Sequence, residues 1–254
     1  WRDSAAGLAL LERKQAAVRQ RARELLRQEA RLLGPHTFLA GSFEALGGEQ
    51  VRITYDFKDT RELEDFEAGR YPALVRKGCE PTGVEAEPFA VADGRLVSVG
   101  EASLRSLFEL GPPLSVRYTF EYADRGHRDR NDNFALGVCD DGQEHFLWSY
   151  NFVSLQVYDR IEDSTVNGES LSMYLDRAYE AELRHDGKQA ASFLEGVAGP
   201  TIDASLRQRG AVFLFAHCKN QARIERMVIE GRLLPDSFER LASAAIEREL
   251  ARDF

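Results

Sequence analysis

The chain has 254 residues, enough for one large domain or one domain with appendages, and it needs no metal or disulfide staple to bury a core. Its 42 acidic and 33 basic residues leave a formal net charge of −9, which excludes broad nucleic-acid binding by phosphate neutralisation. No apolar run approaches the roughly 18 residues a membrane-spanning helix requires.

Residues 4–33 lack proline and are rich in Ala, Leu, Arg and Gln, all good helix formers. Leu11, Val18, Leu25 and Leu32 recur every seventh residue, with Leu8 and Ala22 partly filling the companion row, and Gly34-Pro35 ends the pattern. This predicts a long N-terminal helix with a narrow apolar seam, a helical stalk over 1–34 followed by a linker over 35–49. Gln15 and Glu29 interrupt the companion row, so a partner helix or the chain's own domain suits the seam better than a free coiled coil. Arg13, Lys14, Arg19, Arg21, Arg23, Arg27 and Arg31 outnumber Asp3, Glu12, Glu24 and Glu29. On an acidic protein that asymmetry fits an acidic partner or membrane proximity, and equally an ordinary arginine-rich surface face.

From about residue 50 to 233 the period changes to two. Leu114, Val116, Tyr118, Phe120 and Tyr122 alternate with Ser115, Arg117, Thr119 and Glu121, a strand with one buried and one wet face. Further strands are expected at 51–57, 95–99, 134–139, 145–150, 153–158, 179–185, 189–195, 211–218 and 222–229. Asp93-Gly94, Asp141-Gly142, Asp186-Gly187 and Lys219-Asn220 supply turns between them, with a type I′ turn expected at Asp186-Gly187. The fold class is mainly β, an antiparallel β-sandwich of jelly-roll type. Beyond Pro235 the pattern returns to helix over 234–254, capped by Asp236 or Ser237, with Phe238, Leu241, Ala245 and Ile246 as its apolar stripe.

Cys79, Cys139 and Cys218 form neither a disulfide framework nor a zinc spacing. The five histidines are scattered, and no Gly-x-Ser-x-Gly, His-Glu-x-x-His or phosphate loop is present. The loop "DRGHRDRNDN" gathers Asp124, Asp129, Asp132 and Asn133, oxygen donors of the kind calcium takes. Arg125, Arg128 and Arg130 interleave with them and oppose a dication, which favours a solvated, salt-bridged loop. Phe146, Trp148 and Tyr150 alternate on one strand, with Tyr158 close behind. Trp148, Tyr150 and Tyr158 are the candidate ligand-stacking residues, although alternating aromatics more often mark a core face.

Several segments, in order, resemble concanavalin A-like lectin/glucanase domains of the laminin-G-like type. They are "YDFKDTRELEDFEAG", "FAVADGRLVSVG", "PLSVRYTFEY", the pair around "HDGK" that closes in "EG", and "GAVFLFAHCKNQARIERMVIEG". The layout is similar to that of bacterial 3-keto-disaccharide hydrolase-like domains. The resemblance implies a sandwich in a larger bacterial, extracytoplasmic or cell-surface protein, with residues 1–33 as the joining stalk. The chain opens on Trp1 rather than Met, as expected of a piece cut from something longer. Glucanases of this fold carry Glu-x-Asp-x-Glu on one strand face. The nearest run here, "ELEDFE", puts Glu62 and Glu64 on one strand face and Asp65 and Glu67 on the other, so the catalytic set is absent. The expected function is therefore a non-enzymatic binding or assembly module for a glycan or protein surface. The alternatives are a carbohydrate-active hydrolase of the same fold and a structural subunit assembling, as an oligomer, through its end helices.

Overall fold

A computed structural model describes residues 41–234 apart from 48–49, 69–88, 99–100, 124–132, 141–142, 152–153, 160–163, 171–172, 206–207 and 218–220, together with Leu39 and scattered positions over 13–24 and 236–245. Over 133–170 it describes backbone pairing only. Fifteen strands lie among the described residues. The first eight are β1 (Ser42–Gly47), β2 (Gln50–Tyr55), β3 (Phe66–Ala68), β4 (Ala90–Ala92), β5 (Arg95–Val97), β6 (Glu101–Ala123), β7 (Asn133–Asp140) and β8 (Gln143–Asn151). The rest are β9 (Ser154–Asp159), β10 (Ser164–Ser170), β11 (Ala178–His185), β12 (Gln189–Leu194), β13 (Val197–Asp203), β14 (Gly210–His217) and β15 (Gln221–Leu233). All pairings are antiparallel.

The long strand β6 belongs to two layers. Its second half pairs with β15 and β11, giving a first layer ordered β1-β2-β15-β6-β11-β12-β13, with β4-β5 beside β2 against β15. Its first half pairs with β3 and β14, giving a second layer ordered β3-β6-β14-β7-β8-β9-β10. The change of layer falls at Leu110, which pairs with Gly210 in one layer and Leu233 in the other. On the far side β13 approaches β9 and β10, so the layers also meet there.

The alternation read over 114–122 is realised: Leu114, Val116, Tyr118, Phe120 and Tyr122 are buried, and Arg117 is exposed. They meet Ile53, Tyr55, Ile224 and Ile229 of the first layer and Leu104, Phe108, Val212 and Leu214 of the second in one core. Burying side chains of this size contributes about 1.5–3 kcal/mol each.

The sequence reading and the structure differ locally. The sheet begins at β1, upstream of the first expected strand. The run "ELEDFE" is not a strand: Thr60–Asp65 is a 3-10 helix closed by a capping box between Asp59 and Glu62, and only Phe66–Ala68 is extended. The type I′ signature lies elsewhere than expected. Asp93-Gly94 and Glu195-Gly196 have positive φ at both positions, whereas at Asp186-Gly187 only Gly187 does. There Asp186 Oδ1 accepts the N–H groups of Lys188 and Gln189, leaving Gly187 as the first central residue of a II′-like turn.

The helices are described in part. Arg13, Lys14, Ala17, Gln20, Arg21 and Glu24 are helical, and Arg21 pairs with Glu24 at 3.0 Å. The seam residues Leu11, Val18, Leu25 and Leu32 lie outside the described residues, and the long N-terminal helix stays an expectation. In the C-terminal segment Leu241 is buried in the core. Asp236 and Ser237 are helical rather than capping. Asp236 pairs with Arg209, and the buried Ser237 accepts the N–H of Glu109 through its Oγ. Phe238 and Ile246 lie outside the described residues. No helix among the described residues is long and apolar enough to cross a membrane.

Candidate recognition surface on the first layer

Period two puts the wet residues of β2, β15, β6, β11 and β12 on one outward face, and the register sets them side by side. One row runs Glu44, Arg52, Glu230, Ser115, Arg184; the next runs Thr54, the buried Val228, Arg117, Glu182, Phe193. Acids and guanidiniums therefore meet across strands. Glu230 is 3.0 Å from Arg117 and 3.7 Å from Arg52. Glu182 accepts from Arg184 at 2.6 Å and from Ser115 Oγ at 3.1 Å. Glu121 is held by Arg95 at 2.5 Å and Arg223 at 3.3 Å. Arg184 lies 4.4 Å over the Phe193 ring.

The cations stand above the anions. The Arg184 side chain is 58% exposed against 19% for Glu182, and Arg117 is 48% exposed against 29% for Glu230. Pairs this exposed contribute only about 0–1 kcal/mol each. Their main consequence is geometric, since each carboxylate fixes the direction of a planar donor fork. An indentation on this face between Arg95, Thr119, Glu121 and Arg223 measures about 10 Å³, no more than about one water position.

The hydrogen bond from Arg184 is the largest influence on Glu182 and, with that from Ser115, holds its carboxyl below the usual range against the opposing effect of burial. Asp186 is lowered by the N–H groups of Gln189 and Lys188. The titrations of Asp59, Glu109, Glu182, Asp186 and Asp236 are displaced downward. A glycosidic general acid needs the opposite displacement.

Asp124, Asp129 and Asp132 lie outside the described residues, and Asn133 opens β7 with its side chain outside them. The side chains of Trp148, Tyr150 and Tyr158 also lie outside the described residues, but their backbone register is described. Trp148 stands opposite Leu136, itself opposite the buried Leu214; Tyr150 stands opposite Phe134, itself opposite the buried Ala216. Tyr158 is in the other set of rows, through Leu147 and Gly137 to Phe213 and Arg105. By register Trp148, Tyr150 and Tyr158 stand on β8 and β9 of the second layer, not among the strands of the arginine-carboxylate face. The period-two pattern puts Arg117 and Glu121 on a wet strand face but carries no sign of their partners on β15 and β5.

No family model matches the sequence, and no curated protein matches it. Similarity appears among solved structures. A Bacillus subtilis protein of unknown function with a galectin-like fold aligns with a TM-score of 0.52 at 9% identity, over 71% of this chain and 95% of its own. The apo Crh5 transglycosylase aligns at 0.51 and 9% identity, over 76% of this chain and 91% of its own. A sialidase aligns at 0.51 and 8% identity, over 70% of this chain and 18% of its own. At such identities the likeness is one of fold.

Proposed function

From the premise that the chain is a concanavalin A-like sandwich, we propose that it is a non-enzymatic recognition module for a glycan or glycan-bearing surface. The observation that carries this reading is the arginine-carboxylate face of the first layer. Its guanidiniums are oriented by partly buried acids and present N–H donors outward, suited to hydroxyl, carbonyl and carboxylate acceptors on an extended ligand. The indentation between Arg95, Thr119, Glu121 and Arg223 holds about one water, too little to enclose a small substrate, so an extended polymer or macromolecular surface suits the face better. Two neighbours of the same fold add support: one is described as galectin-like and another as a transglycosylase in complex with NAG.

The test is a thermal-shift titration against neutral and acidic polysaccharides, with and without calcium, run beside a reducing-end release assay. A saturable rise in Tm with one polysaccharide class, lost in the Arg117→Ala/Arg184→Ala double variant and unaccompanied by reducing ends, is the expected result. Release of reducing ends by the wild-type chain would establish the hydrolase instead. A shift that appears only with calcium would bring the 124–133 loop into the site.

A further inference from the structure

Two arginines of the first-layer face are held by acids that are less exposed than they are, and each keeps donors to spare. Arg117 stands on β6 opposite Glu182 of β11, and Arg184 stands opposite Ser115, so the two are diagonal neighbours about 7–8 Å apart at their backbones. Arg117 donates through Nη2 to Glu230 Oε1 at 3.0 Å, and Arg184 through Nη2 to Glu182 Oε2 at 2.6 Å. Their Nε and Nη1 groups donate to none of the described residues. A guanidinium has two edges that each offer a pair of parallel N–H donors, so one oxygen at Nη2 leaves the second edge whole. The Phe193 ring beneath Arg184 fixes the plane of that fork.

Access and charge both favour an anion there. The strand positions beside the two arginines are low: Ser115 and Thr119 along β6, Ala191 across from Arg184, and the buried Val228 across from Arg117. Arg52, Arg117 and Arg184 gather about Glu230 and Glu182, three cations against two anions. Every side chain of β2, β11, β12, β15 and the second half of β6 is described, so no further charge on these strands lies among them. The exposed Glu44 and Glu180 stand at the borders of the patch, and the whole chain carries −9. That field repels a dense polyanion and leaves the attraction to the open forks themselves. A planar carboxylate is the group that matches such a fork with two parallel hydrogen bonds.

We propose that the ligand of this face is a uronate-bearing polysaccharide whose carboxylates accept from the open edges of Arg117 and Arg184. The proposal rests on the glycan-recognition reading and narrows it to one class of glycan. Recognition then depends on the shape of the forks and not on positive charge alone, so lysine cannot replace either arginine.

The experiment is isothermal titration calorimetry of the full chain with hyaluronan and polygalacturonate, with the methyl esters of both, and with dextran sulfate as a dense polyanion. Saturable binding to at least one uronan is expected, with its methyl ester weaker by about tenfold or more, since esterification removes the charge and one acceptor oxygen. Arg117→Lys/Arg184→Lys keeps both charges, should retain Tm because the pairs are exposed, and should weaken binding about tenfold. The comparison of acid with ester needs no variant and decides the matter if the double variant folds poorly. Equal affinity for acid and ester, undiminished binding in a folded lysine variant, or dextran sulfate bound more tightly than either uronan overturns the proposal. So does the absence of binding to both uronans. The glycan-recognition reading then stands if a neutral polysaccharide raises Tm and Arg117→Ala/Arg184→Ala abolishes the rise, and it falls if none does.

Discussion

Glu109 shows how one residue joins sandwich and tail. Burial alone would raise its carboxyl titration, but hydrogen bonds from Arg240 and Arg209 outweigh that and hold it below the usual range. Replacing it with Ala leaves three guanidiniums without their shared acid. Because those of Arg209 and Arg240 are 38% and 43% exposed, water recovers part of the loss. Glu109→Ala is expected to cost about 2–3 kcal/mol in urea unfolding, below the cost of a fully buried pair. Ser192 is the opposite case. It is fully buried on β12 and its hydroxyl has no hydrogen-bond partner among the described atoms. Ser192→Ala removes a desolvated polar group for little lost volume, so Tm is expected to hold or rise, by up to about 1 kcal/mol of stability. A clear loss of stability would mean the hydroxyl is satisfied. Neither effect was legible in the sequence: Glu109 reads as one acid in "SLFELG", and its hydrogen-bond partners Arg209 and Arg240 are 100 residues or more further along the chain.

At the scale of elements, legibility followed burial. The second half of β6 has core on one side and water on the other, so its residues alternate and its faces could be read directly. Tyr118→Asp tests that assignment: a charge at a position 3% exposed should prevent folding, scored by loss of the cooperative transition and of soluble yield. The first half of β6 was not identified. Ser106 stands on its core side, and Leu107 and Glu109 on its outward side are covered by the C-terminal segment, so no clean alternation survives. Ala211, Val212, Phe213 and Leu214 of β14 are buried on both sides and read as a continuous apolar run, a strand without a face. The run 62–67 failed for a different reason: Asp59 and Glu62 close a capping box, and local side-chain bonds to backbone override a period-two reading.

For the whole molecule the displaced carboxylates set the response to acid. Glu109 and Glu182 bind protons more weakly folded than unfolded, so their stabilisation is complete above the ordinary value near 4.5 and is lost as pH falls through their lower folded values. Tm should be nearly flat above about pH 5 and fall below it, with a shallower fall in Glu109→Gln. A fall that begins near pH 6.5 instead would assign the acid response to a histidine. Added salt should change Tm little, because most of the first-layer pairs are well exposed and contribute little.

The sequence by itself determined the mainly β character, the two-faced strand at 114–122 and several turns, because side-chain period and glycine conformation act between residues close along the chain. Only the tertiary structure decided that β6 serves both layers, that Arg117 meets Glu230 across 113 residues and that Arg209 and Arg240 converge on Glu109. Those contacts depend on strand order and register, which arise from packing two layers over one core. The arginine-carboxylate face belongs to that second kind of information.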